Sequence, residues 1–137
     1  MPDLAHFQRF GAATLPGHLG IKIVEVGTQR VRASLTIRQA LLAPNGFLHA
    51  GTIVTLADTC AGYGCLEALP DGANGFTTIE LKSNHLGTAI DGIIECVATP
   101  AHLGRTTQVW DAIVTHRETA RTIALFRCTQ MVLYPKD

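Results

Sequence analysis

The stretch Pro44-Asn45-Gly46-Phe47-Leu48-His49-Ala50-Gly51 runs directly into an apolar segment interrupted by Asp58. Ala50 and Gly51 are small enough to let a ligand approach the first N–H groups of a helix that begins there. Those groups lie at the positive end of the helix and stabilise an oxyanion by about 2.7–4 kcal/mol per well-placed donor. Asp58 lies two turns inside the segment, where an ionised carboxylate is costly unless it is paired or used. A desolvated Asp can attack a carbonyl or activate water. Taken singly, each residue has a plainer reading: His49 as a helix cap, Gly51 as a packing glycine, Asp58 as the partner of a buried backbone group. Together they describe acyl transfer or hydrolysis.

Spacing adds a constraint. Eight helical residues at about 1.5 Å each separate the Ala50 N–H from Asp58 by roughly 12 Å along the axis, further than a carboxylate side chain reaches. If both act on one carbonyl, the acid comes from a second copy of the chain. Two-fold symmetry then gives two equivalent sites per dimer.

The elements that must position these groups follow from periodicity. Residues 51–69 carry Ile53, Val54, Leu56, Ala57, Cys60, Ala61, Tyr63, Cys65 and Leu66 with almost no polar stripe, so this helix is expected to be buried all round, inside a sheet. Residues 3–13 read as a short N-terminal helix closed by Pro16-Gly17. Residues 20–26 and 30–38 read as a hairpin, with Val31, Ala33, Leu35 and Ile37 on one face and Arg32, Ser34, Thr36 and Arg38 on the other. Four strand-like runs follow, over 76–86, 93–99, 106–117 and 122–134, with turns at 87–92, 100–104 and 118–121. The expected fold class is α+β: one long helix wrapped by an antiparallel sheet of five to six strands, as a single domain over 1–137 with a helical segment at 1–19.

Hydrophobic residues make up 47% of the 137 and charged ones 16%, which excludes disorder and suggests that another chain covers part of the surface. Eleven basic residues balance eleven acidic ones, so there is no field to hold nucleic acid or an anionic membrane. No apolar run reaches the roughly 18 residues of a membrane span, and residues 1–11 have neither a signal core nor an Arg-rich transit pattern. A cytoplasmic protein is the expectation. Cys60, Cys65, Cys96 and Cys128 show no metal spacing and are expected to be reduced, buried thiols. The six His form no ligand-spaced cluster, so no metal is expected.

The block from Gly46 to Gly51 with Asp58, followed by Thr77-Thr78-Ile79-Glu80-Leu81, resembles the hotdog-fold acyl-CoA thioesterases, in particular the PaaI-like branch of the phenylacetate pathway. The element order from Gly20 to Leu133 matches as well. The resemblance implies Asp58 as carboxylate nucleophile or general base and Ala50 as the backbone donor to the thioester carbonyl. It also implies that His49 fixes the loop and that Thr78 holds the attacking water. Thr77 points to the other face of the strand, and a register error of one would exchange the two. Phe47 and Tyr63 are candidates to line the acyl pocket. Lys82, His85, Arg105 and Arg121 are candidates to meet the CoA phosphates. Trp110 is core or interface.

Two departures stand out. The family's His-Gly-Gly is His49-Ala50-Gly51, which keeps the N–H and adds a methyl. Many relatives carry Asn or Gln six residues before the His, where this chain has Ala43, while Asn45 lies four before. The implied substrate is acyl-CoA, with CoA as part of the substrate and no separate cofactor, and the implied assembly is a homodimer that pairs into a tetramer. A dimeric acyl-CoA-binding module without catalysis is a second reading. An acyl-CoA hydratase or dehydratase is a third, for which no His in the required motif context is evident.

Overall fold

The computed structural model describes residues 3–136. Two short helices, α1 (Leu4–Phe10) and α2 (Leu15–Leu19), precede a hairpin of β1 (Lys22–Gly27) and β2 (Arg30–Thr36). A 3-10 turn at Gln39–Leu41 leads to the long helix α3 (Ala50–Glu67). Strands β3 (Gly75–His85), β4 (Ile93–Leu103), β5 (Thr107–His116) and β6 (Thr122–Leu133) complete the chain. The strands form one antiparallel sheet in the order β1-β2-β4-β5-β6-β3, and α3 lies across it, in contact with every strand from β2 to β6. This is the helix-in-sheet arrangement expected from the apolar helix, with six strands.

Close approach of α3 to the sheet depends on missing side chains. A Cβ at Gly64 would lie 2.5 Å from the Trp110 ring, and one at Gly62 would lie 3.1 Å from the Phe76 ring. Trp110 is therefore core. Its indole N–H donates to Gln108 Oε1 at 2.7 Å, while Gln108 Nε2 donates to the Ala68 carbonyl at 3.0 Å, which ties the end of α3 to β5. The expected apolar face of this arm is buried at Val31, Ala33, Leu35 and Ile37, but Ser34 of the opposite face is buried too, so the alternation of burial is not strict. All four cysteines are reduced and buried. Burial pushes the Cys65 and Cys128 thiols up to about 12. The Cys96 thiol is raised too, by its hydrogen bond with Cys60 and by burial, so none of these three is a ready nucleophile.

Three expectations are corrected. The N-terminal helix is two helices. Asp3 caps α1 by accepting the His6 N–H at 2.9 Å, and Pro16 does not end a helix but sits in the first turn of α2, where its missing N–H costs no bond. Residues 100–104 are not a turn, because β4 continues to Leu103. Its partner β2 is paired only as far as Ala98, so Pro100 lies where no neighbour needs its N–H, beside a bulge between Pro100 and His102. Finally, α3 is not buried all round: Val54, Thr55, Asp58 and Leu66 are half-covered, and the helix start at Ala50 and Gly51 is exposed.

The two sheet edges differ. On the β1 side, Gln8 of α1 covers the edge: its Oε1 accepts the Ile23 N–H at 2.7 Å and its Nε2 donates to the Ile21 carbonyl at 3.1 Å. On the other side, β3 is bare, with residues 77–82 exposed and Ile79 and Leu81 among them. Among the described residues, no helix is long and apolar enough to cross a membrane.

Candidate active site

His49 is the N-cap of α3, as its plain reading held. Its Nδ1 accepts the Gly51 N–H at 2.7 Å, so in the neutral ring the proton sits on Nε2. A Cβ at position 51 would lie 2.9 Å from that Nδ1, which explains the glycine: it lets the ring fold over the helix end. With the Gly51 N–H occupied by the cap, the Ala50 N–H is left as the donor of the first helical residue, which has no partner within the helix.

The loop before His49 is held by its own backbone and by the 86–92 connection. Asn45 Oδ1 accepts the Phe47 N–H at 3.1 Å, and Ala43 N–H donates to the Phe47 carbonyl at 2.7 Å. Leu48 N–H donates to the Ala89 carbonyl at 2.8 Å, and His49 N–H to Leu41 at 3.1 Å. The outcome is a hollow of about 440 Å³ at the helix mouth, lined by Ala43, Asn45, Phe47, His49, Ala50 and His85, among others. Asn45 therefore does reach the mouth. Its carbonyl oxygen holds the turn, and its amide group remains for other use.

Asp58 opens onto a different hollow, of about 360 Å³, with Phe10, Pro16, Gly62, Tyr63, Leu66 and Phe76. Among the described residues it is the sole charged one that lines this hollow. Burial raises its carboxyl from the ordinary Asp value, and its Oδ1 is buried without a hydrogen-bond partner. Tyr63 packs against Phe7 and Phe10, with ring centroids 5.0 and 5.9 Å apart, and burial raises its phenol as well. The two hollows share no lining residue.

The remaining candidates divide by strand face. Thr78 pairs with Gln130 and faces α3, whereas Thr77 pairs with Met131 and faces outward. An extra residue at Ile79 then shifts the register, so His85, opposite the buried Ala124, turns towards the helix and joins the mouth. Lys82 lines an outer-face groove with Asp111 and Arg127, away from both hollows. Arg105 is exposed and its carbonyl accepts the Tyr134 hydroxyl, while Arg121 is exposed beside Thr119. Neither lines a hollow with Asp58 or His49. Phe10, Gly62, Phe76 and Thr88 were not legible as lining residues, since each reaches its hollow only through the tertiary fold. Among the described residues, no group of three or more His, Cys, Asp or Glu could hold a metal ion.

Comparison with known proteins places the family and the fold. Residues 45–123 match the model of the thioesterase superfamily. A 1,4-dihydroxy-2-naphthoyl-CoA hydrolase of Listeria monocytogenes is 32% identical over 111 residues, covering 81% of this chain and 89% of that protein. Among solved structures, a thioesterase of Haemophilus influenzae superposes with a TM-score of 0.91 at 27% identity, over 98% of this chain and 92% of its own. The PaaI protein of the Escherichia coli phenylacetic acid degradation operon shares the fold, with a TM-score of 0.83 at 24% identity over 95% and 91% of the two chains.

Proposed function

The chain belongs to the thioesterase superfamily, and on that footing we propose that it hydrolyses acyl-CoA thioesters at two sites, each formed between two copies of the chain. The observation that carries this reading is the separation of two complementary tools. A free helix-start N–H at Ala50 and a partner-less carboxylate at Asp58 open onto separate hollows of one chain. Neither hollow alone is a complete hydrolytic site, and juxtaposing the mouth of one copy with the Asp58 hollow of another makes two. The bare β3 edge, with exposed Ile79 and Leu81, is the surface that supports such pairing. The dimer pairs further into a tetramer in this reading.

In the joined site the thioester carbonyl oxygen accepts from Ala50 N–H, and the charge that develops on it is held by the positive end of α3. Asp58 takes a proton from water as the water oxygen attacks the carbonyl carbon. The carbon–sulfur bond then breaks, and the CoA thiolate leaves and is protonated. Thr78, on the helix-facing side of β3, holds the water, and His49 keeps the loop and the donor in place. Direct attack by the Asp58 carboxylate, through an anhydride that water then opens, is the second route. Label in Asp58 after a single turnover in ¹⁸O water identifies the second route, because an anhydride opened at the Asp58 carbonyl leaves the water oxygen there.

The hollow beside Asp58 takes the acyl group. Phe10, Tyr63 and Phe76 line it, and an apolar, ring-bearing acyl group suits them. At the mouth, Asn45 supplies the amide that relatives place at the position of Ala43, and Phe47 and His85 meet the pantetheine arm. Lys82, Thr77 and Arg105 reach the CoA only as contributions from neighbouring copies. CoA is part of the substrate, and no separate cofactor enters the reaction. A panel of aryl and aliphatic acyl-CoAs with a thiol-trapping dye tests the proposal: the enzyme releases free thiol, most readily from aryl substrates, whereas a binding module would protect the thioester.

A further inference from the structure

Gln130 is 0% exposed, yet both Nε2 and Oε1 of its carboxamide lack a hydrogen-bond partner. Leaving both ends of an amide unmade inside a core is destabilising, and an apolar residue of the same shape would remove that cost. The position of Gln130 gives the amide a use. Gln108 of β5 stands opposite it on one side and Thr78 of β3 on the other. Directly opposed residues of antiparallel strands present their side chains on the same face about 5 Å apart. The three thus form a row across β5, β6 and β3 on the helix side of the sheet, with the Thr78 end exposed. Gln108 is already anchored, with Nε2 on the Ala68 carbonyl and Oε1 accepting from the Trp110 indole N–H. That oxygen has a second lone pair.

We propose that Gln130 is a positioning residue for the hydrolysis, acting through Thr78. This rests on the reading of Thr78 as the residue that holds the attacking water. Rotation about the soft terminal torsion of Gln130 lets Nε2–H donate to Gln108 Oε1 and Oε1 accept from the Thr78 hydroxyl. The Thr78 proton is then committed to the sheet, so its oxygen can only accept from the water. The water gives its other proton to Asp58 and turns a lone pair to the thioester carbon. Without Gln130, the Thr78 hydroxyl is free to rotate and to donate to the water oxygen, which blocks the attacking lone pair.

The test uses Q130M, of similar volume, in three backgrounds: the native chain, T78S, which keeps the hydroxyl, and T78V, which removes it. Q130M is expected to lower kcat about tenfold in the native and T78S backgrounds, with KM unchanged within about twofold, and to have no effect in T78V. Equal losses in all three backgrounds, or no loss in the native chain, would overturn the proposal. A second readout does not need activity. Trp110 is the only Trp, so its indole N–H gives a single resonance in a ¹⁵N-correlated spectrum. Substitution T78V, two strands away, shifts that resonance if the row is connected and leaves it in place if Gln130 does not reach Thr78. Absence of thiol release by the native chain would count against the hydrolase reading, while the indole response still decides whether the row exists.

Discussion

Replacing Asp58 with Asn keeps the shape of the side chain and removes its charge and basicity. Two effects of opposite sign follow from the same burial. Loss of the base is expected to lower kcat by about 10²–10⁴-fold, the usual contribution of a positioned general base. Stability is expected to rise. Because burial lifts the folded-state pKa above the ordinary value, the folded chain holds this proton more tightly than the unfolded chain does. Ionised Asp58 therefore costs nothing below the ordinary carboxylate pKa, and the cost appears as pH climbs from there through the raised value. D58N never carries the charge. Its stability advantage over the native chain is absent in acid, opens through that window and persists at neutral pH. Each 1 kcal/mol of that advantage raises Tm by about 4 °C in a chain of this size. The assays are thiol release and thermal unfolding, both across pH, with size-exclusion chromatography to show that the oligomer persists. In the native chain the acid limb of kcat/KM falls with a midpoint raised from the ordinary Asp value, and D58N lacks that limb. A D58N variant with near-native kcat, or one destabilised at neutral pH as in acid, refutes the reasoning.

Ala50 is the first residue of α3, a position that tolerates proline, and His49 before it has an extended ψ of 134° that proline accepts. Ala50→Pro should thus remove the oxyanion donor with little change in Tm and a drop in kcat of about 10²-fold, read by steady-state kinetics. Asn45→Asp keeps the oxygen that accepts the Phe47 N–H and deletes the amide group. A kcat/KM loss equal to that of Asn45→Ala assigns the function to the amide, and a native value assigns Asn45 to the turn alone. Gly51→Ala forces the His49 ring off the helix end and should cost about 1 kcal/mol in denaturant unfolding. Gly64→Ala drives a methyl into Trp110 and is expected to cost about 1–3 kcal/mol.

Much of the fold was legible because its signals are local. The unbroken apolar face of residues 51–69 required a helix enclosed by a sheet, and the strict alternation of Val31, Ala33, Leu35 and Ile37 required a strand with one buried face. What failed depended on neighbours. Pro100 reads as a breaker until the register shows that pairing of β4 with β2 stops at Ala98, and Pro16-Gly17 reads as a stop although it starts α2. In the site, the separation of roughly 12 Å along the axis between Ala50 and Asp58 is helix arithmetic and was readable in advance. The faces of Thr77 and Thr78 were readable as opposite. Which face meets α3 needed the pairing with Gln130 and Met131. Phe10 and Phe76 come from distant parts of the chain, and no spacing could have placed them around one hollow.

The shared site has a direct test in subunit complementation. D58N and A50P chains are each purified, mixed in equal amounts, unfolded and refolded together. In a mixed dimer, one site joins the intact mouth of the D58N chain to the intact Asp58 of the A50P chain, while the other site carries both defects. Random pairing makes half the dimers mixed with one good site of two, so activity should return to about one quarter of native from two nearly inactive parents. A mixture no more active than its parents would contradict the account, because it would mean that the helix mouth and the acid of a single chain work on the same substrate.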